Sequence, residues 1–434
     1  MRVLWFTNGA LPPALIRQGL APAGSGQWMT CLLDHMVRAG GVEIDVATAH
    51  PGLRDDEFSE GGVRYVVFGQ PRYESIFEAR RRDIERCVRL VENTNPDLVH
   101  IHGSERFFGL LAARGLIRPP ALISIQGLVD ACLPIFFGSL SAREIWQSEA
   151  LVEIATRRGL LWRYRDYSKG AELGREILAN GKAFMGRTEW DRAHLRSANP
   201  SAVYYYGGEI LRPQFSGPRW DLDSCDRYSV IFTNAGSEPR RGVEVLVDAM
   251  QVVRREFPEA ELRLAGTLGE RRAYDRFLRR RIADAGLEKS IHYLGYLNAA
   301  QMAEQLRRAH VFVQPSFMEN SSNSLCEAMQ SGLPCVATHA GGIPSLIDHG
   351  RTGLMIPPGD APLLAESIAK IFRDRDLAVH LGRSARAEAS QRHQPDRVVA
   401  QVMYAYRDLT GAAPASGPNL QGKNFQHVSY TESR

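Results

Sequence analysis

Short apolar runs alternate with longer amphipathic stretches along the chain. Residues 3–7, 121–126 and 228–233 are largely apolar runs of strand length, which is typical of strands buried on both faces of a parallel sheet. Residues 27–39 and 243–257 carry apolar side chains three and four positions apart, which predicts helices. The alternation therefore predicts an α/β protein with parallel sheets.

One break in this pattern divides the chain. Between residues 213 and 228, proline, glycine, aspartate and serine cluster, as in a linker. We predict a first domain at 1–210, a linker at 211–227, a second domain at 228–392, a final helix at 393–410 and a disordered tail at 411–434. The linker contains Asp221-Leu-Asp223, which resembles a metal-binding motif of some sugar transferases. Because it does not follow a buried strand, we interpret it as a turn.

Composition excludes several classes of protein. The 434 residues suffice for two cores, and a net charge of +4 gives no reason to expect a nucleic-acid partner. The six cysteines lack CxxC spacing, so neither a zinc site nor a disulfide framework is predicted. No signal peptide or membrane span is expected, because the apolar runs are too short. We predict a reduced, cytoplasmic enzyme.

The most informative stretch is the segment from residue 309 to 334. A short apolar strand stops at Pro315, a polar loop carries Glu319, and a helix capped by Ser322 or Asn323 carries Glu327. The first amides of such a helix have no intrahelical partners and form an anion site, here at Asn323, Ser324 and Leu325. Two carboxylates beside an anion site suit a ligand with an anionic middle and hydroxyl-rich ends, such as a nucleotide sugar.

Other candidate residues lie where predicted strands end. His102 and Gln126 are each followed by glycine at a strand tip, the edge at which open α/β sheets bind ligands. A structural histidine is the alternative for His102, and no third ligand supports a metal there. Gly24 and Gly26 precede a helix, where glycines admit a phosphate or sugar, with a plain turn as the alternative. Arg241 stands at a strand–loop–helix junction, within reach of a phosphate.

Residues 128–182 combine arginines with aromatic and apolar side chains. An ordinary helix whose arginines extend along its surface explains this composition. The alternative is a basic amphipathic surface that contacts anionic lipid or a phosphorylated glycan carrier, which would place the protein at the inner membrane surface.

Taken together, several motifs resemble the retaining glycosyltransferase family 4, which has the GT-B fold. They are Pro315-Ser316, Glu319-x7-Glu327, Gly332-x-Pro334, Gly341-Gly342 and Gly353-Leu354. The resemblance is strong over residues 228–409 and looser over 1–210. It implies two Rossmann-like domains facing each other across a cleft, with the final helix crossing back to the first domain.

The resemblance also implies a function. The chain would be a hexosyltransferase that moves a sugar from a nucleoside diphosphate sugar to a glycan or lipid-linked acceptor, in polysaccharide or glycoconjugate biosynthesis, without a metal or other cofactor. Glu327 would hold the ribose and Glu319 the donor sugar, while Arg241 and the amides of the helix start would neutralise the diphosphate. Gly24 and Gly26 would approach the donor, and His102 and Gln126 would complete the reaction centre.

Four positions depart from the family pattern. Gln126 replaces a histidine, Arg241 replaces a lysine, an arginine is missing near Gly236, and Ser345 replaces an acid. Because of Gln126 and the missing arginine, a non-catalytic protein that binds sugar nucleotides stays open as an alternative. An epimerase or hydrolase of the same fold is a second alternative.

Overall fold

Two sheets organise the molecule. The computed structural model describes residues 1–21, 26–70, 75–156, 159–235, 238–266 and 273–412. The first sheet has the order β3-β4-β2-β1-β5-β6-β7-β8. Its strands are β1 (Arg2–Thr7), β2 (Glu43–Pro51), β3 (Asp56–Glu60), β4 (Val63–Gln70), β5 (Leu98–His102), β6 (Ala121–Ser124), β7 (Ala183–Gly186) and β8 (Val203–Tyr206).

The second sheet is parallel throughout and has the order β11-β10-β9-β12-β13-β14. Its strands are β9 (Ser229–Ala235), β10 (Glu261–Gly266), β11 (Ile291–Gly295), β12 (Val311–Gln314), β13 (Cys335–Thr338) and β14 (Leu354–Ile356). In each sheet the first strand lies in the middle, β1 between β2 and β5, and β9 between β10 and β12. Strand order reverses at these places, and α/β proteins bind ligands beyond the carboxyl ends of such strands.

Helices connect the strands of both sheets. Those of the first part of the chain are α1 (Pro12–Arg17), α2 (Gln27–Ala39), α3 (Arg81–Thr94), α4 (Gly109–Ala113), α5 (Val129–Cys132), α6 (Ala142–Ser148), α7 (Leu151–Ala155), α8 (Leu160–Asn180) and α9 (Glu189–Ala198). Those of the second part are α10 (Val243–Glu256), α11 (Ala273–Asp284), α12 (Ala299–Arg308), α13 (Asn323–Ser331), α14 (Ala361–Arg373), α15 (Arg375–Arg392) and α16 (Pro395–Thr410). Among the described residues, no helix has the length and hydropathy needed to cross a membrane.

The predicted return of the last helix to the first domain is confirmed. Helix α16 packs against α2 and against β5, β6 and β8 of the first sheet. Its buried face carries Val398, Val402 and Tyr406, which share a core with Val3 and Trp5 of β1. The Tyr406 hydroxyl accepts a hydrogen bond from Trp5 Nε1 at 2.9 Å and bonds His100 Nδ1 at 2.7 Å. Burial of each large apolar side chain contributes about 1.5–3 kcal/mol, so this contact fixes the end of the described chain to its beginning.

Two features differ from the sequence-based expectation. Strand β3 pairs antiparallel to β4 at the sheet edge, and its acidic, largely exposed sequence has no apolar run that would predict a strand. The helix expected at residues 75–93 begins only at Arg81. Asp221-Leu-Asp223 lies in a turn, as predicted.

Candidate active site

The loop that carries Glu319 follows β12 and is held against the second sheet by glycines. Gly341 has φ +56°, a conformation that favours glycine, and a Cβ on it would lie 2.0 Å from the Glu319 carbonyl oxygen. A Cβ on Gly342 would lie 1.8 Å from the carbonyl oxygen of Asn320. The Gly342 amide donates to the Glu319 carbonyl at 2.8 Å. The Gly341-Gly342 pair is therefore what lets this loop pack closely enough to fix Glu319.

Glu319 is buried and strongly hydrogen-bonded. Its Oε1 accepts bonds from Arg241 Nη1, from Ser316 Oγ at 2.9 Å and from Gln314 Nε2 at 3.2 Å. The structure thus brings together two of the predicted site residues, Glu319 and Arg241, which lie 78 positions apart in the chain. Their pairing neutralises a carboxylate that would otherwise be costly to bury.

Helix α13 starts as the sequence predicts. The Ser322 side chain caps it by accepting from the amide of Leu325 at 3.2 Å. This bond occupies one of the three amides assigned to the anion site. The amides of Asn323 and Ser324 belong to the first turn, which has no intrahelical acceptors. The amides of Asn323 and Ser324 are therefore the main donors that the start of α13 offers to an anion.

Glu327 lies on α13 and is buried. Arg212 donates to its Oε1 through Nε at 3.0 Å and through Nη2 at 2.7 Å. Burial raises the pKa of Glu327 to about 7, although the charge and hydrogen bonds of Arg212 act to lower it. No sequence motif pointed to this pair, because Arg212 lies in the segment between the two sheets, far from the recognised motifs.

A polar cluster joins α13 to both segments that connect the sheets. Glu209 precedes Arg212, His393 lies between α15 and α16, and Cys326 is the neighbour of Glu327. Each offers one potential metal-ligand atom within 4.8 Å of the others, the one such group found among the described residues. Glu209 is already paired with Arg187 at 2.5 Å, and burial raises the pKa of the Cys326 thiol, which favours its protonated form. We therefore interpret the cluster as a structural joint.

The tip of β6 touches the Glu319 loop directly. Asn320 Nδ2 donates to the backbone carbonyl of Gln126 at 3.2 Å, and its Oδ1 accepts from Thr188 Oγ1 at 3.2 Å. Asn320 therefore ties the Glu319 loop to two places in the first domain. Its position next to Glu319 was the sequence signal that could have identified it. The Gln126 side chain contacts Met29 Sδ at 3.8 Å.

His102 is enclosed within the first domain. Its side chain is fully buried, with its ring 4.2 Å from that of Trp5 and 6.0 Å from that of Trp28. Burial holds the pKa of His102 well below its usual range, so the ring is neutral. Neither ring nitrogen has a hydrogen-bond partner among the described residues, and a cavity of about 10 Å³ beside them has room for about one water. A catalytic role for His102 stays a prediction.

A carboxylate that the sequence analysis overlooked lies at the tips of three strands. Glu105 Oε2 accepts from Asn8 Nδ2, beyond β1, at 2.6 Å. A Cβ on Gly103 or on Gly127 would lie within 3 Å of the Glu105 carboxylate, so the glycines after β5 and β6 make room for it. Burial raises the pKa of Glu105 to about 7. The glycine turns were visible in the sequence, but the side chain that they accommodate was not.

Of the remaining predicted residues and departures from the family pattern, some lie outside the described residues and the others have defined contacts. Gly24 and Gly236 lie outside the described residues. Gly26 caps α2 with φ +86°. The Ser345 hydroxyl accepts from the amide of Glu189 in the first domain at 3.1 Å, and Arg240 supplies a second guanidinium beside Arg241, paired with Glu238 at 2.7 Å.

The site thus combines carboxylates, guanidiniums and a helix start where the two mainly parallel sheets meet. Its donors and dipoles can stabilise an anionic group, and its carboxylates can accept from hydroxyls. Glu319, Arg241, the start of α13 and Glu327 lie on the second domain, while Gln126 and Glu105 lie at strand tips of the first.

Family models match most of the chain. The model described as "Glycosyl transferase 4-like domain" matches residues 24–203, and the one described as "Glycosyl transferases group 1" matches residues 227–374.

Curated relatives are glycosyltransferases. Sulfoquinovosyl transferase of Arabidopsis thaliana is 23% identical over 363 residues, which are 82% of this chain and 65% of the relative. D-inositol 3-phosphate glycosyltransferase of Pseudarthrobacter chlorophenolicus is 36% identical over 50% of this chain and 54% of its own length. Phosphatidyl-myo-inositol mannosyltransferase of Mycobacterium leprae is 30% identical over 44% of this chain and 49% of its own length. The matches thus span about half to two thirds of each relative.

Solved structures share the whole architecture. Sucrose-phosphate synthase of Thermosynechococcus elongatus superposes with a TM-score of 0.74 at 19% identity, covering 95% of this chain and 100% of that one. Anabaena HepE, solved with UDP-glucose, superposes with a TM-score of 0.62 at 17% identity, covering 94% of this chain and 100% of that one. With the two family models, these likenesses confirm the fold inferred from the sequence. The chain belongs to the group 1 glycosyltransferases of family 4 and has the GT-B fold.

Proposed function

We propose that this glycosyltransferase moves a hexosyl group, with retention of anomeric configuration, from a nucleoside diphosphate sugar to a glycan or lipid-linked acceptor. The observation that carries the proposal is the juxtaposition of Glu319 and Arg241. The carboxylate suits the hydroxyls of a donor sugar, and the guanidinium suits the diphosphate to which that sugar is bonded.

The proposed chemistry uses charge that is already in place. Breaking the anomeric bond leaves an oxocarbenium-like sugar and adds negative charge to the diphosphate. Arg241 and the amides of Asn323 and Ser324 would stabilise the departing diphosphate, and they need no reorganisation to do so. Glu327 would accept bonds from the ribose hydroxyls. This set of groups would supply the charge stabilisation without a metal, so we propose a metal-independent reaction.

Attack on the same face as the leaving group would preserve the configuration. The acceptor hydroxyl would bond to the anomeric carbon as the bond to the diphosphate oxygen breaks, and its proton would pass to that oxygen. Gln126 would contribute an amide at this centre, which can donate or accept a hydrogen bond but cannot become cationic.

The likenesses support a nucleotide donor and an acceptor in glycoconjugate biosynthesis. HepE was solved with UDP-glucose, and the M. leprae relative is named for transfer to phosphatidyl-myo-inositol. We therefore propose a uridine diphosphate sugar as the first donor to test. We also propose that the acceptor is membrane-borne and that residues 128–182 contact the membrane surface from the cytoplasmic side.

A thermal-shift screen tests the donor half of the proposal. UDP, GDP, ADP and their sugars are added separately to the full chain, and a ligand at a hundred times its Kd adds about 2.7 kcal/mol to the free energy of unfolding. We expect one base to raise the melting temperature clearly above the others. No shift with any of them would contradict the proposal.

Turnover then separates transfer from the alternatives. The bound donor is incubated with and without candidate acceptors, and free nucleotide is measured. Release that requires an acceptor supports the transferase, and acceptor-independent release indicates a hydrolase. Binding without turnover that is unchanged in Glu319→Ala indicates a non-catalytic protein.

A further inference from the structure

Glu105 is a first-domain carboxylate that the proposed reaction does not use. It follows β5, it is partly exposed, and its Oε2 accepts from Asn8, the residue after β1, at 2.6 Å. A Cβ on Gly127, which follows β6, would lie 2.9 Å from its Oε1. The ends of three adjacent strands therefore meet at one acidic group. Strand order reverses at β1, and α/β proteins bind ligands beyond the carboxyl ends of strands at such a place.

The backbone around Glu105 is built to hold its side chain in one position. Gly103 has φ +119°, a conformation that favours glycine, and a Cβ on it would clash with Glu105 Oε2. The buried Arg106 donates through Nη1 to the Asn8 carbonyl at 2.9 Å and through Nη2 to Gln70 Oε1 at 3.0 Å. The side chain that donates to Glu105 is thus itself anchored, so the carboxylate is positioned before any ligand arrives.

The place that Glu105 occupies adjoins the loop of Glu319. Gly127 follows Gln126 in the chain, and the Gln126 carbonyl accepts from Asn320 Nδ2 at 3.2 Å. Asn320 is in turn the neighbour of Glu319. One hydrogen bond and short stretches of backbone therefore connect the two carboxylates, which puts Glu105 on the first-domain side of the proposed reaction centre.

A carboxylate at this position suits hydroxyl groups and opposes phosphate, since like charges repel. The second domain offers a group for each part of the donor, namely Glu319 for the sugar, Arg241 with the start of α13 for the diphosphate, and Glu327 for the ribose. The acceptor is the substrate that still lacks a partner. Among the described residues, Asn8 is the one whose side chain donates to Glu105, and it does so to Oε2, so Oε1 can accept from a ligand.

We propose that Glu105 binds the acceptor through a hydroxyl adjacent to the one that attacks, so that the acceptor is a sugar or cyclitol ring with neighbouring hydroxyl groups. The inference rests on the proposed function. In that reaction the attacking oxygen bonds to the anomeric carbon as the bond to the diphosphate oxygen breaks, and its proton passes to that oxygen. Because this proton is already assigned, the hydrogen bond to Glu105 comes from the neighbouring hydroxyl, and Glu105 orients the ring without changing its own protonation.

Acceptor kinetics of Glu105→Gln test the proposal with the full chain. The donor is the nucleotide sugar that the thermal-shift screen selects, and the acceptor probes are octyl glucoside, octyl galactoside, octyl mannoside and myo-inositol. The glutamine can still accept from Asn8, but it offers the acceptor an uncharged amide. We expect the acceptor KM at saturating donor to rise about 10–100-fold, with the Kd for the nucleotide and the melting temperature unchanged. Glu92→Gln, on an exposed position of α3, is the matched control and should behave like the unmodified chain.

Monodeoxy analogues of the best probe identify the hydroxyl that Glu105 binds. Removal of that hydroxyl should raise the acceptor KM of the unmodified chain about as much as Glu105→Gln does. The same removal should have little further effect in Glu105→Gln, because the two changes delete one interaction. A merely structural role of Glu105 would leave every deoxy effect equal in the two proteins.

The titration of Glu105 gives an independent readout. Burial raises its pKa to about 7, and the charged groups that act on it, Arg106 and Arg187, stay cationic through this range, while the buried His102 stays neutral. The carboxylate is therefore lost as pH falls through about 7, and kcat/KM for the acceptor at saturating donor should decline by up to about tenfold per pH unit. Glu105→Gln should abolish this decline and leave the pH dependence of nucleotide affinity, which Glu327 would cause, as it is.

Four results would overturn the proposal. The acceptor KM of Glu105→Gln could equal that of the control, or nucleotide binding could be lost in parallel, which would assign Glu105 to the donor. A lower melting temperature with unchanged acceptor kinetics would make the carboxylate only a link between β1 and β5. The fourth is an unmodified chain that binds nucleotide but transfers to none of the probes. Failure of the proposed function has a different signature, because the unmodified chain would then show no nucleotide-dependent shift, and the inference would fall with it.

Discussion

Glu319 and Glu327 are two buried carboxylates, one before the start of helix α13 and one on it, yet they are held in different ways. The carboxylate of Glu319 accepts its hydrogen bonds from Arg241, Gln314 and Ser316 of the second domain. Glu327 is paired with Arg212, which belongs to the segment that joins the two sheets. The first carboxylate is thus held by side chains of the second domain, although the neighbouring Asn320 ties its loop to the first domain. The second is linked to the place where the domains are connected, so a ligand that binds it also acts on that joint.

The largest effect is expected at Glu319. Glu319→Ala should lower transfer at least about a thousandfold, because it removes the carboxylate proposed to hold the donor sugar beside the reacting carbon. The measurement is acceptor-dependent nucleotide release. Glu304→Ala, which changes an exposed glutamate of α12, is the control. A rate in Glu319→Ala near that of the control would remove Glu319 from the reaction.

Glu327→Ala should act on binding more than on chemistry. Loss of two bonds from a ribose diol to a charged acceptor should weaken nucleoside diphosphate binding by about 10–100-fold, and saturating donor should recover most of the rate. Titration calorimetry with the diphosphate measures this, with Glu366→Ala on the surface of α14 as the control. An unchanged Kd would show that Glu327 serves only the joint with Arg212.

The raised pKa of Glu327 predicts a pH dependence. Its pKa is raised from 4.5 to about 7, so the carboxylate that is proposed to accept from ribose is lost as pH falls through about 7. Nucleotide affinity should therefore decline below pH 7 by up to about tenfold per pH unit, and Glu327→Gln should remove this decline. For folding the sign is opposite: the folded state binds this proton more tightly than the unfolded chain, so the group lowers stability as pH rises from about 4.5 to 7.

The smallest effect concerns Arg212. In Arg212→Gln the interaction that lowers the pKa of Glu327 is gone, so the midpoint of the pH dependence should move above 7 while binding at higher pH changes little. Affinity measured across the pH range in both proteins decides this. A midpoint that does not move would mean that Arg212 does not tune Glu327.

The structure was predicted most accurately from the sequence where the residues that determine a local conformation lie in one short stretch. The β12–loop–α13 segment, its cap at Ser322 and the glycines at 341 and 342 are local patterns with fixed geometric consequences. The features that the sequence analysis missed depend on contacts between residues far apart in the chain. Arg212 meets Glu327 across 115 positions, and Asn320 meets Gln126 across 194.

The burial of His102 also depends on contacts between distant residues and was therefore not predicted from the sequence. Two histidines on one face of a strand look alike in the sequence, and only the packing of α2 and α16 over β5 decides that both are covered. Glu105 was overlooked for a related reason, since its environment is built from the ends of three strands.

The joint around α13 has a consequence for recombining such enzymes. Exchanging the two halves of a GT-B protein is a direct way to seek new donor and acceptor combinations, and the linker between the sheets is the obvious place to join them. Here Glu209, Arg212 and His393 lie on the connecting segments but make their contacts with Cys326, Glu327 and Arg187. A chimera that respects only the linker would separate these partners and leave charges buried without their counterparts. A chimera that takes its second domain from this chain therefore needs both connecting segments together with an arginine at the position of Arg187 in the first domain.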